Sequence, residues 1–205
     1  MATKLFTIRT NINVNGSDYE LLSLTAGAAQ TNGVPTNTAA GPATITFNAS
    51  GSASSTTLRC MSNRLTGVTI SGTITANLWA LESAMAANAG ASILVRRCDL
   101  DGTPISTILD SAKGTEFGTA IAAQNWAPTP TSTTLSDGDR IRVDWRFTDA
   151  GGTMASGNTC TASYSGPTGA ADGDTWLQFT ETITEFTAPA ERVPRFTPYP
   201  QLLAH

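Results

Sequence analysis

Between residues 140 and 147 the chain reads RIRVDWRF, and apolar and charged side chains alternate without a break. Ile141, Val143, Trp145 and Phe147 have one parity, while Arg140, Arg142, Asp144 and Arg146 have the other. A helix turns about 100° per residue and would scatter both sets around its circumference. A strand points successive side chains to opposite faces, so it sorts them into one apolar face and one charged face. The same period runs through TGVTISGTITANLWAL, residues 66–81. There Val68, Ile70, Ile74, Ala76 and Leu78 share one face, and Thr69, Ser71, Thr73, Thr75 and Asn77 share the other. Threonine suits a half-solvated strand because its branched carbon packs on the pleat while its hydroxyl meets water.

Residues 91–109 read as a hairpin about an Asp101–Gly102 turn, and residues 133–147 and 175–186 add two further strands. Weaker alternation marks strands at 5–14, 43–50, 55–62 and 158–166. ALESAMAANAGA, residues 80–91, holds good helix formers, but Asn88 and Gly90 limit it to a loop with at most a short helical turn. Many short strands between Gly, Pro, Asn and Asp clusters predict an all-β chain, an antiparallel β-sandwich of jelly-roll type. Its 205 residues suit one such domain. The predicted organisation is a sandwich over 1–186, with a long uncharged loop at 26–42, followed by an extended arm over 187–205. The arm contains Pro189, Pro194, Pro198 and Pro200, which favour extended backbone, together with apolar anchors. Arg192, Arg195, Phe196, Tyr199, Leu202 and Leu203 are its expected contacts with a neighbouring subunit.

Charged residues make up 14% of the chain and the net charge is -4. Nucleic-acid binding needs clustered Lys and Arg, so that partner is not expected. No apolar run is long enough for a membrane span, and the N-terminus lacks a leader-like segment, which predicts a chain made in a cytoplasm. Cys60, Cys98 and Cys160 show no metal-ligand spacing and are expected to be buried thiols.

Chemistry is sparse in this pattern. The single histidine is His205, which leaves no internal partner for a Ser-His-Asp or Cys-His arrangement. Glu181 and Glu185 on one strand would stand roughly 13 Å apart, beyond the about 5–9.5 Å that paired glycosidase carboxylates need. Asp144 with Glu181 across strands is the other carboxylate pairing that would serve. The Asp-x-Asp units Asp99/Asp101, Asp137/Asp139 and Asp172/Asp174 fit turns, since Asp bonds its own backbone two residues on. Calcium is the competing reading, but no EF-hand spacing is present. The expectation is of a protein that is not an enzyme and carries no cofactor or metal. The charged stripe Arg140, Arg142, Asp144 and Arg146 stands out in so charge-poor a chain and is a candidate contact face. Trp79 and Trp126 are the tryptophans placed to stack on a glycan, Trp79 by its opposite register and Trp126 by its loop position.

NWAPTPTSTTLSDGDRIRVDWRF (125–147) and GNTCTASYSGPTGAADGDTWLQFTETITEF (157–186) resemble β-sandwich structural proteins of tailed-bacteriophage virions. ITANLWALESAMAANAGASILVRRCDLDG (74–102) is similar to the preceding strands of the same proteins. The resemblance spans about residues 66–186 and lies in loop style and strand order, so it carries over no site residues. It implies a virion protein of the capsid-decoration or minor-capsid type, binding other virion proteins and its own copies as a dimer or trimer. The alternative is a carbohydrate- or receptor-binding module of a head or tail appendage, with a host glycan as partner.

Overall fold

The computed structural model describes residues 2–24, 43–51, 53–150, 154–164 and 175–188. The predicted loop at 26–42 and all the expected arm contacts, Arg192, Arg195, Phe196, Tyr199, Leu202 and Leu203, lie outside these residues, as do Asp172 and Asp174.

The described chain is all-β. Its strands are β1 (Thr3–Val14), β2 (Ser17–Ser23), β3 (Ala43–Gly51), β4 (Ala53–Ser62), β5 (Thr69–Ile70), β6 (Ile74–Glu82) and β7 (Ala89–Cys98). They continue as β8 (Pro104–Glu116), β9 (Ala122–Trp126), β10 (Thr133–Thr134), β11 (Arg140–Asp149), β12 (Met154–Tyr164) and β13 (Trp176–Phe179). A single 3-10 turn, Met85–Ala87, stands where the sequence allowed a short helical turn, ended by Asn88 in the left-handed region.

One large sheet runs in the order β3-β12-β6-β13-β1-β2-β4-β11-β7-β8, with β9 on the other edge of β6. Its ladders are antiparallel except β2 against β4, which is parallel. The sheet folds over itself, and the inner faces of its two halves share one core. Leu5, Ile74, Ala76, Leu78, Leu177 and Phe179 come from one half; Leu58, Ile93, Val95, Ile141, Val143, Trp145 and Phe147 come from the other. The parity read in RIRVDWRF holds, since Ile141, Val143, Trp145 and Phe147 are all buried. Burial of such side chains drives the closure, at about 1.5–3 kcal/mol for each large one.

Two strands were not legible. β2 follows a tight Asn15–Gly16 turn in which both residues take positive φ, 49° and 79°, the geometry of a two-residue hairpin loop. β9 covers AAQNW, expected as loop. Other expected strands are broken or shorter: 66–81 divides into β5 and β6 and 133–147 into β10 and β11, while β13 ends at Phe179 and Glu185 makes only an isolated bridge to Leu65. Glu181 and Glu185 therefore do not share a strand.

The β1–β2 hairpin belongs to the sheet but bends at an irregularity between Ile8 and Asn11, and its far end packs on the sheet's outer face. Ile8, Ile12, Val14 and Leu21 close there on Met61 and Cys98, a second small core behind the first. The fit is tight. A Cβ on Gly102, whose φ is +81°, would sit 2.8 Å from Val14 Cγ1. Only glycine serves both the turn and this approach.

Candidate functional site on the charged face of the sheet

β11 lies between β4 and β7, so its outward side chains have neighbours on both sides. Asp144 is opposite Arg59 and Leu94, and Arg142 is opposite Met61 and Arg96. The four charges are largely spent on one another and on the backbone. Arg142 grips the Asp144 carboxylate with two parallel bonds, Nε to Oδ1 at 2.8 Å and Nη2 to Oδ2 at 3.0 Å. Arg96 adds an ion pair to the same carboxylate at 3.7 Å. Arg142 also faces the ring of Tyr19, 5.7 Å from its centroid, in the overlying hairpin. Burial works to lower the Arg142 pKa, but the hydrogen bond and charge of Asp144 outweigh it and hold the guanidinium above its ordinary value.

Arg140 donates to the carbonyls of Ser62 (2.8 Å) and Leu100 (3.0 Å). Arg146 donates to Ser92 Oγ at 3.0 Å and pairs with Asp110 of β8. The stripe is thus a lattice of ties across β4, β11, β7 and β8. What it offers a neighbour is the half-buried edge of each guanidinium. Beside it lies a shallow groove of about 270 Å³ lined by Asn11, Asp18, Tyr19, Glu20, Leu58 and Arg59. An amide, two carboxylates, a phenol ring and a guanidinium can together take a hydroxyl- or amide-bearing surface.

The aspartates of the turns have structural tasks. Asp99 Oδ1 accepts from the amides of Asp101 (3.0 Å) and Thr103 (2.8 Å), which closes the β7–β8 turn. Asp137 Oδ1 accepts from Gly67 N at 2.7 Å. Asp139 Oδ2 accepts from Ser136 N and from Arg97 Nε, both at 2.7 Å. Glu181 accepts from the amides of Ser71 and Gly72 at 2.9 and 2.7 Å. Burial would raise its pKa, yet these bonds win and hold it below the ordinary value. Asp144 does not meet Glu181. Among the described residues no three His, Cys, Asp or Glu side chains are grouped to hold a metal. Cys60, Cys98 and Cys160 are buried and unbridged.

Trp79 is half-buried on the outer face of β6, its backbone N–H donating to Thr175 Oγ1. Trp126 is on β9 rather than in a loop, and it meets Trp145 edge-to-face at 6.3 Å with its Nε1 buried. Trp126 therefore leans on the core, and its ring is not a free platform. Among the aromatics that share an outer face with Trp79 is Trp176 of β13, opposite Phe6 in the ladder and with Lys4 Nζ 3.9 Å from its ring centroid. The sequence hid this, because Trp176 begins a strand whose partner could not be known.

No protein-family model and no curated protein matches the chain. Among solved structures it resembles a CocE/NonD family hydrolase from Staphylococcus aureus, with a TM-score of 0.55 at 8% identity over 87% of this chain. An aminopeptidase from a marine sediment Thaumarchaeota archaeon superposes at 0.54 with 12% identity over 90% of the chain. An α-amino acid ester hydrolase gives 0.51 with 11% identity over 87%. The fold is one that occurs in hydrolases. This corrects the expectation of a protein that is not an enzyme: hydrolases contain this architecture, so a missing histidine partner within these residues is no ground for that exclusion. At such identities the likeness is one of fold. The chain spans only 36%, 37% and 36% of the three longer proteins.

Proposed function

We propose that the chain is a bacteriophage virion structural protein of the capsid-decoration or minor-capsid type, acting through contacts with neighbouring subunits. The observation that carries this reading is where its exposed apolar side chains lie. Leu100 (50% exposed) and Ile105 (51%) flank the β7–β8 turn at one end of the sandwich. Met85 (57%) and Ile121 (45%) stand at the opposite end, where β6 and β8 finish. A charge-poor domain with apolar side chains at both ends is suited to end-to-end packing, in which each contact excludes water from a small apolar centre. The phage resemblance over residues 66–186 supports the same reading.

In infected cells, tagged chain is expected to sediment with purified particles at a fixed copy number. Leu100→Asp with Ile105→Asp should lower that incorporation at least tenfold while the circular dichroism spectrum and melting curve stay unchanged. Chain found only in the soluble fraction overturns the reading.

The hydrolase likeness favours a second reading, in which the chain is the β-sandwich unit of a larger hydrolase. A panel of ester and aminoacyl substrates tests it, applied to the chain alone and to the complex it pulls from its own host. Turnover that purifies with the chain supports this second reading and counts against the first.

A further inference from the structure

Glu82 is wholly buried, although it is a carboxyl side chain at the end of β6. Its Oε2 accepts from Ala89 N at 3.1 Å. The chain brings Glu116, at the end of β8, to the same place: it is opposite Gly90 in the β7–β8 ladder, next to Ala89, and its carboxyl acts electrostatically on that of Glu82. Oε1 of Glu82 and Oε1 of Glu116 are both shut off from solvent, and neither has a conventional donor. Two carboxylates cannot bond each other, because neither has a hydrogen to give; one proton between them supplies it.

Among the described residues the surroundings provide no counter-charge. On β12 the facing group is the Cys160 thiol, opposite Glu82 in the ladder and pushed up to about 11 by burial and by Glu82. On β7 the neighbour is the backbone of Ala89. Lys113, earlier on β8, is turned to Gln124 of β9 at 2.6 Å. Among the described residues neither glutamate has an ion-pair partner. A divalent cation would want six or more oxygens, whereas one of the four here already serves Ala89.

We propose that Glu82 and Glu116 share one proton and so form a pH-sensitive clasp at this end of the sandwich. The clasp sits where several elements meet. Glu82 N donates to Gly118 O (3.0 Å), Phe117 N to Ala89 O (2.8 Å) and Ser83 N to Thr159 O (2.8 Å), which links β6, β7, β8 and β12 within a few residues.

The sign follows from burial, which raises the Glu82 pKa above 4.5, with the neighbouring Glu116 charge adding to it. The folded chain then keeps a proton that the unfolded chain has released. The clasp's contribution is whole below about pH 4.5 and is lost as pH climbs through the raised value.

The test is thermal unfolding of the full chain from pH 5 to pH 9, for the wild type, Glu82→Gln and Glu116→Gln. A glutamine amide donates to the remaining carboxylate without titrating. Wild type should lose about 3–6 °C over this range beyond any loss in the variants, corresponding to a clasp of one to two kilocalories. Either variant alone suffices if the other fails to fold. Equal slopes in wild type and variants overturn the proposal. Carbon-13 NMR should show one carboxyl of the pair titrating well above the rest, and ordinary values for both overturn it as well. Stabilisation by millimolar calcium at high pH, absent in Glu82→Gln, would assign the pair to a cation instead.

Discussion

Trp145→Ala is expected to lower the unfolding free energy by about 3–5 kcal/mol, the range for removing a large aromatic from a packed core. Trp145 is 2% exposed and packs edge-to-face on Trp126, its plane inclined 77° to that ring. Its Nε1 donates to Thr7 Oγ1 at 3.2 Å, and Thr7 is itself fully buried on β1. The indole therefore joins the two halves of the sandwich twice, once by area and once by a polar bond. Trp145→Phe separates the two effects. It keeps most of the bulk but withdraws the donor from a buried hydroxyl, at a cost of about 1–2 kcal/mol. Urea unfolding followed by circular dichroism measures both. A loss below about 1 kcal/mol for the alanine variant would mean that the core does not pivot on this residue.

Asp144→Ala comes next, at about 2–3 kcal/mol. Breaking a buried pair by deleting one partner commonly costs about 3–5 kcal/mol, because the other charge stays buried and uncompensated. Here the penalty is partly relieved. The Arg96 side chain is 30% exposed and can reach water, whereas that of Arg142 is only 12% exposed and cannot easily follow. The double variant Asp144→Ala/Arg142→Met should recover part of the loss, since it removes the stranded guanidinium and leaves an apolar side chain next to Tyr19. Stability of the double variant below that of the single one would contradict this account.

Local pattern made part of the molecule readable. The parity of residues 140–147 placed eight side chains on their proper faces, because a half-buried strand needs only its own alternation to be recognised. β2 escaped because Ser17, Asp18, Tyr19 and Glu20 are polar, although Asn15–Gly16 signals a hairpin to anyone weighing turns. β9 escaped because alanine and amide residues carry little strand signal. β13 was read too long because Thr180, Thr182 and Ile183 continue the alternation after the chain has left the ladder to let Glu181 bind the Ser71 and Gly72 amides. The stripe itself was visible, but its partners were not: Arg96, Asp110 and Ser92 lie on strands whose register against β11 is a property of the whole sheet. The same holds for Glu82 and Glu116, which belong to different strands and meet only when the sandwich closes.

The strand order has a consequence for how the molecule is made. β13 lies between β1 and the Ile74–Asn77 stretch of β6, so the last of the described strands enters the middle of the sheet. Until Phe179 has left the ribosome, two long-finished strands wait with unsealed edges that any other extended chain could occupy. Pairing of such distant segments is also slow, which prolongs the exposure. A nascent chain stalled short of this strand is therefore the species most prone to join its own kind, and β13 is the seal that ends the hazard.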